Sequence, residues 1–181
     1  MNHDIERVLA ELAESAGARG VRLAVAESLT GGLLAASIVS MPGASKMLAG
    51  AVVAYDTALK HTLLGVDAEL LRTRGPVDDE VARQMARGVR EACGVSIEVS
   101  SAVDAEGVTA RPVDIGVSTT GVAGPEPDPQ SGQTAGTVWV GVSSPRGERA
   151  IHLQLHGDRD AIREATVAAA LTEMVAEIGM W

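Results

Sequence analysis

The stretch Val21–Ile38 constrains the fold more than any other part of the chain. It opens with an apolar run rich in β-forming residues, which predicts a buried strand. The small apolar residues after Thr30-Gly31-Gly32 predict a helix, with Thr30 as a suitable capping residue. Ser28 is therefore predicted to lie at a strand-to-helix turn.

This turn has two interpretations. Glycines let the backbone approach a ligand closely, and the first amides of a helix stabilise a phosphate or a developing oxyanion. A serine at this point is placed as a nucleophile would be, although its neighbours do not form the G-x-S-x-G motif of many hydrolases. Alternatively, Glu27, Ser28 and Thr30 only cap the helix.

Composition narrows the class of protein. The chain has 181 residues, of which 46% are apolar and only 2% aromatic, so we predict one domain with an aliphatic core and α/β architecture. The net charge of -9 disfavours general binding of nucleic acid. Cys93 is the single cysteine, which excludes an intrachain disulfide. Neither a signal peptide nor a long apolar run is evident, so the prediction is a cytoplasmic protein without membrane association.

Hydrophobic periodicity predicts the elements around this stretch. An amphipathic helix is predicted over Asp4–Ala16, and a second buried strand over Leu48–Tyr55. Further helices are predicted at residues 57–64, 68–74 and about 79–93.

The second half of the chain is predicted to contain two hairpins. Val95–Val103 alternates apolar and polar residues and is predicted to pair with a strand at 114–119 through a turn at Asp104–Thr109. The other hairpin joins residues 136–143 to 148–155. Between them, Thr120–Ala135 is irregular, as functional loops often are. A last helix is predicted from 158 to 178, with Asp158 as its cap.

Ser28 and Lys60 form the first candidate site. Lys60 follows the second predicted strand, so parallel pairing of the two strands would bring both residues to the edge where α/β sheets bind ligands. A lysine that burial keeps neutral can serve as the base for a serine. Tyr55 is suited to orient the lysine or to bind substrate. The alternative is that Lys60 is a solvated helix residue.

Two further groups are weaker candidates. Thr120 and Gly121 follow a predicted strand and would present a hydroxyl and backbone amides to a ligand, although many tight turns look similar. Arg159 and Arg163 suit phosphate binding, or else are solvated residues at a helix start. None of the histidines is assigned as a metal ligand, so no metal or cofactor is predicted.

Several ordered motifs resemble the CinA C-terminal domain family, which includes stand-alone nicotinamide-nucleotide amidases. Together they cover nearly the whole chain. They are A-E-S-L-T-G-G-L-L-A from Ala26, P-G-A-S from Pro42, V-V-A-Y-D-T-A-L-K from Val52, L-L-G-V from Leu63, T-G-V-A-G-P from Thr120, G-T-V-W-V-G-V from Gly136 and G-D-R-D-A-I-R from Gly157.

The resemblance implies a three-layer α/β/α sandwich with a mixed, largely parallel central sheet. It also implies hydrolysis of nicotinamide mononucleotide to nicotinate mononucleotide and ammonia, without metal, by an enzyme that we expect to be a homo-oligomer. By position, Ser28 would be the nucleophile, Lys60 the general base and Tyr55 an assisting hydroxyl. The residues that would line the substrate pocket are Thr30, Gly31, Gly32, Thr120 and Gly121, with Arg159 or Arg163 at the phosphate.

The chain departs from the family pattern in three places. Leu29 replaces a common cysteine, residues 126–132 replace a glycine-rich loop, and residues 95–113 are predicted to be an insertion within a single domain of residues 1–181. Two other functions stay open at this point. They are a non-catalytic module that binds a pyridine nucleotide, and an amidase for a different small amide.

Overall fold

The chain alternates between helices and strands along most of its length. The computed structural model describes residues 3–97 and 108–181. The elements are α1 (His3–Arg19), β1 (Leu23–Glu27), α2 (Leu33–Val39), a 3₁₀ turn (Ala44–Lys46), β2 (Leu48–Val53), α3 (Thr57–Leu64), α4 (Ala68–Arg74), α5 (Asp79–Ala92), β3 (Val95–Ile97), β4 (Val108–Ala110), β5 (Ile115–Gly121), β6 (Thr137–Ser144), β7 (Gly147–Gln154) and α6 (Arg159–Gly179).

A five-stranded mixed sheet forms the centre of the fold. Its strand order is β2-β1-β5-β6-β7. The strands β2, β1 and β5 run parallel, whereas β6 and β7 continue as an antiparallel meander. The prediction that the first two strands are parallel neighbours is confirmed, with Val25 opposite Ala51.

Helices cover both faces of this sheet. Leu23 and Val25 of β1 pack into a core with α1, α2 and α6, while Ala24 and Ala26 face a second core with α3, α4 and α5. Because successive strand residues point to opposite faces, a strand that is apolar throughout needs a helix layer on each side. The three-layer α/β/α sandwich is thus confirmed. No helix in the described residues has the length and apolar character to cross a bilayer.

Aspartates cap several helices in the way the sequence suggests. Asp78 accepts the first amides of α5, and Asp158 accepts the amide of Ala161 in α6 as predicted. The prediction for α2 is wrong, because its N-cap is Gly32, with φ of 95°, and not Thr30. A threonine at that φ would be strained, whereas glycine adopts it freely.

Two predictions about strands are also wrong. The strand at Leu48–Tyr55 ends at Val53 and lies at the sheet edge, where alternate residues are exposed. Val95–Ile97 pairs with Val108–Ala110 and not with β5. Instead, β5 lies at the centre of the sheet between β1 and β6. It is buried along almost its whole length, as a central strand covered on both faces should be. The rest of the predicted hairpin, residues 98–107, lies outside the described residues.

Gly88 is where α5 touches α3, and a Cβ there would lie 1.9 Å from the carbonyl oxygen of Leu64. Replacing glycine by alanine inside a helix normally stabilises a protein by about 0.5–1 kcal/mol. We expect Gly88→Ala instead to lower the free energy of unfolding by about 1–3 kcal/mol, because the helices must separate. Urea denaturation measures this value.

Gly17→Ala is the matched control, since Gly17 is an exposed residue of α1 and a Cβ there would have no described atom within 4 Å. It should raise the free energy of unfolding by up to about 1 kcal/mol. A Gly88→Ala protein as stable as the Gly17→Ala protein would contradict the close contact between α5 and α3.

Candidate active site

Lys60 and Ser28 meet at the edge of the sheet where β1 and β2 end. Ser28 directly follows β1, and Lys60 lies on α3, which is separated from the end of β2 by three residues. Lys60 Nζ donates hydrogen bonds to Ser28 Oγ at 2.9 Å and to the carbonyl oxygen of Ala54 at 2.9 Å. The lysine is 1% exposed and the serine 9%. The structure thus brings together the two residues of the first candidate site.

Burial changes the acid–base behaviour of the lysine. It removes the ammonium from water and lowers the pKa of Lys60 from 10.5 to about 8, although the nearby charge of Asp56 acts in the opposite direction. A sizeable fraction of the amine is therefore neutral at mildly alkaline pH. At 2.9 Å, a neutral amine can accept the proton of the Ser28 hydroxyl.

Glu27, and not Ser28, satisfies the start of α2. Its carboxylate is fully buried and accepts the amides of Gly32 at 2.9 Å, Leu34 at 3.1 Å and Ala35 at 2.8 Å. The capping interpretation therefore holds for the glutamate. It leaves the hydroxyl of Ser28 to its hydrogen bond with Lys60.

The amides near Ser28 differ in their availability. Gly31 donates to the Ser28 carbonyl oxygen at 3.1 Å, and Gly32 donates to Glu27, so neither glycine has a free amide. Among the residues that the structure describes, the amide of Leu29 has no acceptor. Leu29 directly follows the serine and lines the cavity above it. This amide can stabilise an oxyanion formed at Ser28.

Gly121 also lines the cavity, and its amide is a second candidate donor. Val122 N donates across the sheet to the Thr137 carbonyl oxygen at 2.9 Å. Because hydrogen bonding alternates along an antiparallel pair, the Gly121 amide points to the opposite edge of β5. That is the side of β1, which ends just before Ser28.

A cavity of about 380 Å³ opens above the Ser28–Lys60 pair. Of the predicted site residues, the cavity is lined by Ser28, Lys60, Tyr55, Thr120, Gly121 and Arg159. Thr30, Gly31, Gly32 and Arg163 do not line it. Thr30 is fully buried, and its hydroxyl is bonded to that of Thr119 at 2.8 Å.

The two candidate arginines have different partners. Arg159 lines the cavity and donates to the Gly124 carbonyl oxygen at 2.8 Å and to Tyr55 Oη at 2.9 Å. Arg163 donates to the carbonyl oxygens of Leu29 at 3.1 Å and Thr30 at 2.9 Å. Of these two arginines, Arg159 is therefore the one positioned to contact a ligand in the cavity.

Sequence reasoning missed two groups at the site. The Ala54 carbonyl and the Asp56 charge both act on Lys60. The loop at residues 126–132, which the sequence marks as a departure from the family, does reach the cavity, because Glu126 and Asp128 line it. Asp56 precedes a helix directly after a strand, and this capping signature could have identified it. No sequence signal distinguishes the Ala54 carbonyl, because every residue carries one.

The loop that follows β5 is held over the cavity by glutamines. Gln130 Nε2 donates to the Leu71 carbonyl oxygen at 2.7 Å, and Gln133 Nε2 donates to that of Val77 at 2.6 Å.

In the part of the chain that the structure describes, no group of three His, Cys, Asp or Glu side chains is arranged to hold a metal ion.

A family profile of the CinA C-terminal domain matches residues 5–108 and 95–178. The chain belongs to the CinA C-terminal domain family. A CinA-like protein of Frankia casuarinae is 40% identical over 153 residues, which are 84% of this chain and 31% of that protein. A putative competence-damage inducible protein of Desulforamulus reducens is 40% identical over 167 residues, 92% of this chain and 35% of that protein. The chain thus spans about a third of the length of these curated relatives.

Solved structures of CinA superfamily proteins share the fold over nearly their full length. The CinA superfamily protein of Klebsiella pneumoniae has a TM-score of 0.84 and 26% identity, covering 99% of this chain and 100% of that one. The competence/damage inducible protein CihA of Agrobacterium tumefaciens has a TM-score of 0.80 and 27% identity, covering 99% and 98%.

Replacing Asp56 by Asn should lower the pKa of Lys60 below about 8, because the carboxylate raises that pKa. Asn is also a good N-cap, so α3 keeps the bond from Ala58. Lys46 and Lys60 are the only lysines, and a Lys46→Arg background leaves a single amine to observe. NMR titration of carbon-13-labelled lysine measures the pKa. An unchanged or raised pKa in Asp56→Asn would contradict this electrostatic role.

Proposed function

We propose that this CinA-family chain is an amidohydrolase that converts nicotinamide mononucleotide to nicotinate mononucleotide and ammonia. The observation that carries the proposal is the buried 2.9 Å contact between Lys60 Nζ and Ser28 Oγ at the floor of a cavity. The choice of substrate rests on the resemblance of the motifs to nicotinamide-nucleotide amidases. The chemistry rests on the pair itself.

The first half of the reaction uses Lys60 as a base. Neutral Lys60 takes the proton of Ser28 Oγ as that oxygen attacks the carboxamide carbon. The carbonyl oxygen becomes an oxyanion, and the amides of Leu29 and Gly121 supply hydrogen bonds to it. The lysine then returns the proton to the leaving nitrogen, the C–N bond breaks, and ammonia departs. The product at this stage is an ester between Ser28 and the nicotinate.

The second half uses the same groups in reverse. Neutral Lys60 takes a proton from water, which attacks the ester carbonyl carbon. Collapse of the second oxyanion breaks the bond to Ser28 Oγ, and the lysine reprotonates that oxygen. The carboxylic acid formed in this step then loses its proton to solvent, and nicotinate mononucleotide is released. The sum is one amide and one water converted to one carboxylic acid and one ammonia.

Arg159 is the residue that we assign to the substrate phosphate. Its guanidinium lines the cavity and contacts Tyr55 Oη and the Gly124 carbonyl oxygen, both of which also belong to residues of the cavity wall. A planar guanidinium suits a bidentate phosphate contact. The carboxamide would then extend inward to Ser28. Arg163 has no such access, since its donors face backbone carbonyls.

Ser28→Ala should lower the rate of ammonia release from nicotinamide mononucleotide by at least about 1,000-fold, since no other hydroxyl contacts Lys60 Nζ among the described residues. Ser15→Ala on α1, outside the cavity, is the matched control and should retain the wild-type rate. Equal rates for Ser28→Ala and wild type would overturn the mechanism. Binding of the nucleotide without turnover by wild type would favour a non-catalytic binding module.

The rate should also depend on pH in a defined direction. The base must be neutral, and the neutral fraction of Lys60 grows as the pH rises through about 8. We therefore expect kcat/KM to increase with pH and to level off above this value. Asp56→Asn should move the increase to lower pH, in step with the pKa. A profile that falls over the same range would mean that protonated Lys60 is the active form.

A further inference from the structure

Arg163 is a charged residue at the site that the proposed mechanism leaves without a role. It lies on α6, and its Nε and Nη2 groups donate to the carbonyl oxygens of Leu29 and Thr30, 134 and 133 residues earlier in the chain. A third nitrogen, Nη1, pairs with Asp160 at 3.3 Å. The guanidinium is therefore engaged on both edges, and it contacts the turn after Ser28 from outside the cavity.

The two carbonyls belong to the middle of a four-residue turn. Gly31 N donates to the Ser28 carbonyl oxygen at 3.1 Å, so Ser28 is the first residue of the turn and Leu29 and Thr30 are its central residues. The peptide bond between Leu29 and Thr30 is trans. In a trans peptide the carbonyl and the amide point in opposite directions, so a carbonyl held towards α6 directs the Thr30 amide away from it.

This arrangement limits how the turn can rearrange. Rotation of the central peptide interconverts the common turn types, and here it would break the bond to Arg163 Nε. The second bond, to Thr30, opposes rotation of the next peptide. The same turn carries the nucleophilic oxygen at its first residue and the free amide of Leu29 at its second. A positional error of about 1 Å at such groups is costly for a reaction that depends on alignment.

We propose that Arg163 is a positioning residue for amide hydrolysis, which holds the Ser28–Gly31 turn in the conformation that aligns the serine and the oxyanion donor. This inference rests on the proposed function. Arg163 contacts neither substrate nor Lys60. Its role is exerted through the backbone, from a helix that would otherwise only cover the sheet.

A positioning role separates Arg163 from Arg159, four residues earlier on the same helix. Arg163 itself does not line the cavity, so its loss removes no ligand contact, and binding of the nucleotide should persist while the chemical step slows. Loss of Arg159 removes a cavity residue and should raise KM. The two variants are therefore matched in chemistry and in helix, and they are expected to differ in which kinetic constant changes.

The experiment measures kcat and KM for ammonia release from nicotinamide mononucleotide in wild type, Arg163→Gln, Arg163→Lys and Arg159→Gln. Thermal melting followed by circular dichroism sets an assay temperature at which each protein is folded. For Arg163→Gln we expect kcat to fall about 100-fold, as for loss of an oxyanion donor, with KM within about threefold of wild type. Arg163→Lys, which keeps a charged donor, should give an intermediate kcat. Arg159→Gln should mainly raise KM.

The pH profile separates positioning from an effect on the base. Because Arg163 acts on the turn and not on Lys60, the apparent pKa of kcat/KM should be the same in Arg163→Gln and wild type. A shifted profile would overturn the proposal. A kcat within about threefold of wild type in Arg163→Gln, or a raised KM with an unchanged kcat, would overturn it as well.

Two other results have defined meanings. If Arg163→Gln does not fold, Arg163→Lys decides, and a wild-type kcat in that variant would overturn the positioning role. If wild type releases no ammonia from the nucleotide, the proposed function fails and this inference fails with it. An active wild type with unaffected Arg163 variants would overturn the inference alone.

Discussion

The parallel pairing of β1 and β2 is the constraint on which the site depends. Parallel strands end at the same edge of a sheet, so the residues that follow them share one side of the molecule. Here the pairing continues past β2, because Ala54 N donates to the Glu27 carbonyl oxygen at 2.8 Å. The carbonyl of the same Ala54 then accepts Lys60 Nζ. The backbone that joins the two strands thus also fixes the amine beside Ser28.

Glu27 and Lys60 are both buried at this edge, but they have different roles. The Glu27 carboxylate is fully buried, and three backbone amides of α2 compensate for its loss of water. Lys60 is almost as buried, but among the described residues its hydrogen-bond partners are one hydroxyl and one carbonyl, both uncharged. Burial therefore lowers the pKa of Lys60 and favours the neutral amine. Because the glutamate satisfies the helix, the serine is not needed as a cap. An arrangement that looks like helix capping in the sequence therefore leaves a hydroxyl available for chemistry.

Local patterns predicted most of the elements but not all of their neighbours. The strand and turn around Ser28, the helices after β2, the hairpin of β6 and β7 and the Asp158 cap follow from periodicity and capping residues. The pairing of β5 does not, because a short strand between turns is compatible with a hairpin as well as with a central position. The burial of β5 on both faces is the property that distinguishes a central strand from a hairpin strand. Thr30 is a good cap by residue type, yet its hydroxyl bonds to Thr119.

By itself, the sequence determined that a serine follows a buried strand and precedes two glycines, and that a lysine follows the next strand. These features depend on residue type and spacing, which are local. Only the tertiary structure decided that the lysine is buried, that Arg159 faces the cavity while Arg163 faces the turn, and that the Gly31 and Gly32 amides are already occupied. Those properties depend on groups that lie far apart in the chain, such as Arg163 and Leu29. Hydrogen bonds and burial depend on which groups are close together in the folded protein. A single sequence does not give those distances directly.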